Sequence, residues 1–549
     1  MKSIFIFVLV VSLVGMGFGQ STVKQDEVSI TSKGRTTEVR TNSKGKISVN
    51  VAPNDAEAFR SKGWVGYGDL GAKGDGITDD FDVIVATHAF ANQEGLAVKA
   101  EDDAVYYLSG KRRTAIIQTD TDFGKALFII DDTRVEDRTA QVFLVNSTLR
   151  PYKLKGISSL KRNQSKIDVT LPTASLITVN DANVKRYIRF GPNQNNGAPQ
   201  TDIFIVDKSG NVDMDAPIIW DFDQITDITA LPMDEKTLTI RGGKFTTIAN
   251  QAESKYTYYS RGIGIKRSNV LVDGLEHRVT GEGDHGAPYG GFINVSECAY
   301  VTVQNSLLTG HKIYQTIGAA GVSVSMGTYD ISLGRALNVS FINCSQTNDI
   351  NDTQFWGIIG SNYCKNLTLD RCVFSRFDAH MGVANATVKN SILGHQGINA
   401  IGSGTFTLEN STVYGRNLIN LRSDYGSTWE GELIIKNTVF VPAAGRNVRA
   451  SLISGSNSGQ HDFGYTCFMP ERIQIENLRI YDYNHPEDYQ GPAIFGNFNP
   501  KMTDNSYVEK YPYILTKEVI LKNVEIFSGQ ELRISDNPFM FRNVQITAE

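Results

Sequence analysis

The sequence predicts an all-β chain wound as a single-stranded right-handed parallel β-helix, with an N-terminal capping helix and loops inserted between coils. Three observations carry this. A short strand of alternating apolar residues, ended by a turn residue that is usually Asn, returns eleven times from Leu238 to Asn543. The corner residues Arg371, Asn390 and Asn410 are 19 and 20 positions apart, and Asn523 and Asn543 are again 20 apart. Gly is abundant at 50, Pro is scarce at 15, and no long segment has the apolar period of an amphipathic helix. Such a composition suits short strands and tight turns. A propeller would need a longer period and a leucine-rich repeat its fixed Leu spacing.

Taken in chain order, residues 1–19 have a basic start, an apolar run and small residues before Gln20, the pattern of a secretory leader. The run is too short for a membrane span, so the protein is expected to be secreted or periplasmic. Residues 20–60 form an N-terminal extension, and 61–549 the β-helix domain. Between 150 and 235 the repeat fades, which predicts an inserted β subdomain or distorted early coils. From Leu238 the strands return as Val270–Gly274, Val301–Asn305, Val339–Asn343, Leu367–Arg371 and onward to Asn543. Coils of a solenoid stack, so their inward residues form one continuous core. The coils around 371–410 are minimal, and the segments 306–338, 344–366 and 411–432 are longer. Insertions grouped on one side of a solenoid line its binding face.

Tyr67 to Asp80 reads YGDLGAKGDGITDD and precedes the apolar segment Phe81–Phe90. Carboxylates in Thr78-Asp79-Asp80 favour a helix N-terminus, and that helix would plug the open end of the coil stack. This motif, with the ladder behind it, resembles the pectate-lyase superfamily of β-helix proteins over roughly residues 61–130 and 236–549. The superfamily includes lyases, hydrolases, epimerases and phage tailspikes, so the motif marks a fold and not a reaction. The whole pattern is most similar to secreted bacterial polysaccharide lyases, including those acting on glycosaminoglycans such as chondroitin. The resemblance implies cleavage of uronate glycans by β-elimination. The alternatives are a β-helix glycoside hydrolase and a non-catalytic glycan-binding or adhesive β-helix.

Elimination needs a cation or amide to neutralise the uronate, a base for the C5 proton and an acid for the leaving oxygen. Equal offsets on successive coils become neighbours, spaced by the strand separation of about 4.8 Å. Counting from the corners places His380, Asn399 and Arg422 in one column and Arg376, His395 and Arg416 in a second. The expected catalytic set is His380, His395, Arg422, Arg416 and Tyr414. Asn348, Arg376, Asn399, His311, Tyr329, Trp356, Tyr425 and Trp429 are expected to bind substrate, the aromatics by stacking on sugar rings. A hydrolase would need two carboxylates at a fixed separation; Asp349, Asp352, Asp378, Asp424 and Glu430 are available, but no aspartate pair of the polygalacturonase kind is found.

No metal is assigned. Calcium is the ion that Asp349 and Asp352 would suit, but no dense carboxylate loop surrounds them. The five Cys form no C-x-x-C pair and read as small buried residues, with Cys344 and Cys372 stacked one place past their corners. Formal net charge is −5, which gives no support for a nucleic-acid partner. The expected partner is an acidic polysaccharide, and a capped stack predicts a monomer.

Overall fold

In the computed structural model, residues 28–188, 197–318, 321–357, 359–442, 450–455, 466–508 and 512–548 are described. The expected leader, 1–19, lies outside them. Thirty strands join one sheet running from Trp64–Gly66 to Gln545–Ala548. Its pairings are parallel: Gly290–Gln304 pairs with Tyr329–Ile342, that strand with Ile359–Asp370, and that one with Phe377–Lys389. This is the parallel β-helix.

The alternation in the sequence explains the stacking. Val301, Val339, Leu367, Ala386, Phe406, Leu433, Ile473 and Val519 fall in one register column. All are buried. Each large side chain in such a column contributes about 1.5–3 kcal/mol by leaving water, and a one-residue slip would turn it outward.

Each of these strands turns at a residue with left-handed backbone: Asn305, Asn343, Arg371, Asn390, Asn410, Asn437, Asn477 and Asn523 have φ between 48° and 55°. Asn tolerates this conformation, and its side chain adds a second benefit. The Asn305 and Asn343 amides donate to Asp273 and Asn305. A second ladder starts at Asp370 and climbs through Asn390, Asn410, Asn437, Asn477 and Asn523. Arg371 occupies the corner between the two ladders and divides them.

The helix Phe81–Glu94 buries Phe81, Ile84, Val85, Phe90 and Ala91 against the first coils. Its acidic motif works differently from the expectation of simple capping. Asp80 does not cap the helix with its side chain; it accepts the amides of Lys73 (2.7 Å) and Gly74 (2.9 Å) and so ties the glycine-rich loop. Asp79 accepts the Phe81 amide at 3.2 Å and bonds Ser109 and Lys111 of a later coil. The extension forms a three-stranded sheet (Val28–Thr31, Glu38–Thr41, Ile47–Asn50) followed by the helix Pro53–Lys62.

Where the repeat fades, Tyr152–Lys153, Ser175–Arg186, Ala198–Val206 and Asp227–Pro232 form a separate antiparallel sheet. It has its own core, including Ile177, Phe204 and Phe222. Leu176, Ile203 and Ile205 dock it onto Ala299 and Leu337 of the coils. Asp202 and Lys365 fasten the joint through a buried ion pair of 2.7 Å. All five cysteines are buried.

Candidate functional site

The strand Phe377–Lys389 starts with Phe377 and Ala379 in the core. Alternation therefore sends Asp378 and His380 to the other face. Asp378 is in register with Asn399, and Asn399 with Asn420; the Asn420 amide donates to Asn399 at 2.8 Å. Past Asp378 this register is not kept: five residues lead from Asp378 to Val383 but three from Asn399 to Gly402, with which Val383 pairs, and the Val383 amide donates to the Ile401 carbonyl. The first expected column is therefore not a single register row: Asn399 stands above Asp378, and Arg422 reaches Asp378 through its guanidinium. The cause is unequal corners: Asp378 lies seven positions past Arg371, whereas Asn399 lies nine past Asn390.

Asp378 organises this face. Arg422 Nη1 donates to both of its oxygens at 2.7 and 2.9 Å, and Arg376 Nη2 approaches at 2.8 Å. Asp378 and Arg376 are buried, while the Arg422 side chain keeps 15% of its exposure. Two guanidinium groups on one carboxylate give the trio a net positive charge. Beside it, half-buried His380 is held through Nδ1 by Asn362 Oδ1 at 3.0 Å. Its ring meets Tyr425 edge-on at 5.4 Å.

The second expected column is broken. Phe374, Leu393 and Val413 are in register, which brings His395 beside Arg376 but aligns Gly415, and not Arg416, with them. Arg416 projects from the turn and is exposed; Tyr414 is half-buried on the strand before it. Among the described residues, neither side chain bonds to the Asp378 cluster. His395 Nε2 lies 3.2 Å from the Phe355 carbonyl. Burial pushes this imidazole below its ordinary pKa, against the opposing pull of that carbonyl. Trp356 lies under Arg376, whose guanidinium is 5.1 Å from its ring, and its indole nitrogen is sealed.

Three expected substrate contacts lie inside the molecule. Trp429 is fully buried, packs edge-on against Phe406 and donates to the Gly404 carbonyl; it begins a strand and so follows the core alternation. Tyr425 is buried between Tyr187 and His380. His311 is enclosed with His277 around Asp330: His277 Nδ1 is 2.8 Å and His311 Nε2 3.2 Å from Asp330 Oδ1. Asn348 accepts the Gly310 amide at 2.9 Å, next to His311. Tyr329 starts its strand half-buried, with its ring against Gly360. Asp349 and Asp352 each close a turn by accepting the amide two residues ahead, both at 2.9 Å. Among the described residues no three His, Cys, Asp or Glu side chains are grouped to hold a metal ion. No helix among them is long and apolar enough to cross a membrane.

Sequence offsets missed Asn362, Asn420 and Tyr187. Asn362 and Asn420 lie on strands whose corner counts differ from their neighbours'. Tyr187 comes from the antiparallel sheet and meets Tyr363 and Tyr425 edge-on at 5.4 and 5.9 Å; no local pattern announces it.

No family model matches the chain. A capsule KL64-specific depolymerase of Klebsiella phage P510 is 34% identical over 120 residues, which is 18% of this chain and 12% of that protein. Among solved structures, the tailspike gp61 of Pseudomonas phage phi297 superposes with a TM-score of 0.52 at 12% identity, over 88% of this chain and 84% of that one. The tailspike gp49 of Pseudomonas phage LKA1 gives 0.50 at 13% identity over the same shares. The Gp54 tailspike of Acinetobacter baumannii bacteriophage AP22, solved with a capsular saccharide, gives 0.50 at 9% identity over 92% and 81%. These likenesses establish the β-helix fold.

Proposed function

We propose that this protein is an exported enzyme that binds an acidic polysaccharide on the face carrying Asp378, His380 and Arg422 and cuts it by β-elimination. The observation that carries the reading is the Arg376–Asp378–Arg422 trio beside His380. A uronate carboxylate is drawn to the cationic side of the trio, chiefly to the more open Arg422, and its neutralisation makes the C5 proton acidic. The Asn362 oxygen calls for a proton on Nδ1 of His380, which makes Nε2 the basic nitrogen. His380 takes the C5 proton, the C–H electrons form the C4–C5 double bond, and the C4–O bond breaks. The departing oxygen then receives a proton from the imidazolium or from water. Asn399 and Asn420 offer amides to the sugar hydroxyls along the same face. The capsule depolymerase and the saccharide-bound tailspike support a polysaccharide as the partner.

The test is incubation of purified protein with pectin, alginate, chondroitin, hyaluronan and heparin, with and without chelator. Ultraviolet absorbance of unsaturated uronate ends is expected, and His380→Ala abolishes it. New reducing ends without that absorbance assign hydrolysis instead. Binding without cleavage assigns a glycan-binding β-helix.

A further inference from the structure

Beyond the Asp378 face, a cleft separates the antiparallel sheet from the coils. It encloses about 600 Å³, counting the solvent at its mouth. The insertion contributes Tyr187, Thr201 and Trp220, and the coils Tyr363, Ser403 and Glu430. The cleft adjoins the candidate site, because Tyr187 touches both Tyr363 and Tyr425 and Tyr425 touches His380.

We propose that this cleft is a subsite for a neutral pyranose of the same polysaccharide, next to the uronate held at His380 and Arg422; the proposal rests on the functional reading above. Two features define the ligand. Tyr187, Trp220 and Tyr363 give the cleft aromatic walls suited to sugar C–H groups, and the Ser403 hydroxyl lines it as a hydrogen-bonding group. The charges of the cleft are already engaged. Asp202 is paired with Lys365, and Glu430 with Arg162. The Arg186 guanidinium lies 4.1 Å over Trp220 and donates to Gln200 at 2.9 and 2.6 Å. A carboxylate entering here would lose its water beside the Asp202 and Glu430 carboxylates, in return for one guanidinium already held by Gln200, so the cleft selects an uncharged ring. A chain alternating uronate with neutral sugar fits both places at once; a pure polyuronate fits only one.

The experiment is calorimetric titration in the His380→Ala background, which leaves the chain uncut, with hyaluronan oligosaccharides and oligogalacturonides of equal length as probes. Hyaluronan is expected to bind about tenfold more tightly, a difference of about 1.4 kcal/mol. Trp220→Leu removes one wall and erases that preference. Because Trp220 also packs against the insertion's core, Ser403→Met fills the cleft from the coil side and is expected to do the same. Absence of a preference for hyaluronan, or its survival in Ser403→Met, overturns the subsite and leaves the functional reading standing. Failure of the His380→Ala protein to bind either probe overturns both.

Discussion

The coils before Arg371 and those after it each carry a carboxylate gripped by two basic side chains, yet the two clusters differ in their access to water. In the earlier one, Asp330 receives His277, His311 and the Thr309 amide. Phe292 stacks on His277 at 3.7 Å and Tyr289 on His311 at 4.9 Å, closing both sides. In the later one, Asp378 is equally buried, but Arg422 and His380 stand at the rim. The same chemistry, sealed, fixes the architecture; opened on one side, it becomes available to a ligand. Burial opposes the charge on His311, but the Asp330 and Glu282 carboxylates outweigh it and lift the imidazole to about 9. Burial likewise pushes Asp330 up, and His277 and His311 overcome that and hold it well below the usual carboxylate range.

The contrast is broken most severely if the two clusters respond alike to mutation. His380→Ala is expected to lower the rate of glycan cleavage by about 10²–10⁴-fold, the usual worth of a general base, with an unchanged melting temperature; a steady-state assay and a thermal melt check this. Asp330→Asn is expected to do the reverse, costing about 3–5 kcal/mol by leaving buried charge uncompensated, measured by denaturant unfolding. The sealed cluster also predicts a pH window. His311 is more basic folded, at about 9, than at its ordinary 6.5, so its contribution is complete below the ordinary value and fades as pH rises through the folded one. That loss is on the order of 3 kcal/mol, and His311→Phe should flatten the alkaline limb of a stability profile. Asp330 is more acidic folded, so its contribution is present above its ordinary value of 3.8 and is lost only as pH falls toward the folded one. The smallest effect is expected at the boundary itself: Arg371→Asn should join the two amide ladders and add about 1 kcal/mol, read as a higher unfolding midpoint.

The fold was legible because corner Asn residues and alternating apolar strands are local signals that repeat. Part of the arrangement was legible too, since the short coils put His380 on the strand of Asp378, to which Arg422 bonds. Offsets failed where corner lengths differ, as at Asn399 and Arg416, because a column is set by strand register and not by distance from the previous turn. They failed for Trp429 and Tyr425 because a run of loop-like residues contained the first residue of the next strand. Tyr187 and the cleft beside it were invisible, since an antiparallel sheet from a distant segment meets the coils only in three dimensions.

The amide ladders have a direction, each Asn giving its nitrogen to the turn below and its oxygen to the turn above. Such a column can be lengthened or shortened by one whole turn and close again with every link intact, whereas a partial turn leaves an amide facing the wrong neighbour. The length of the molecule is therefore adjustable in fixed steps, without redesign of the turns that remain.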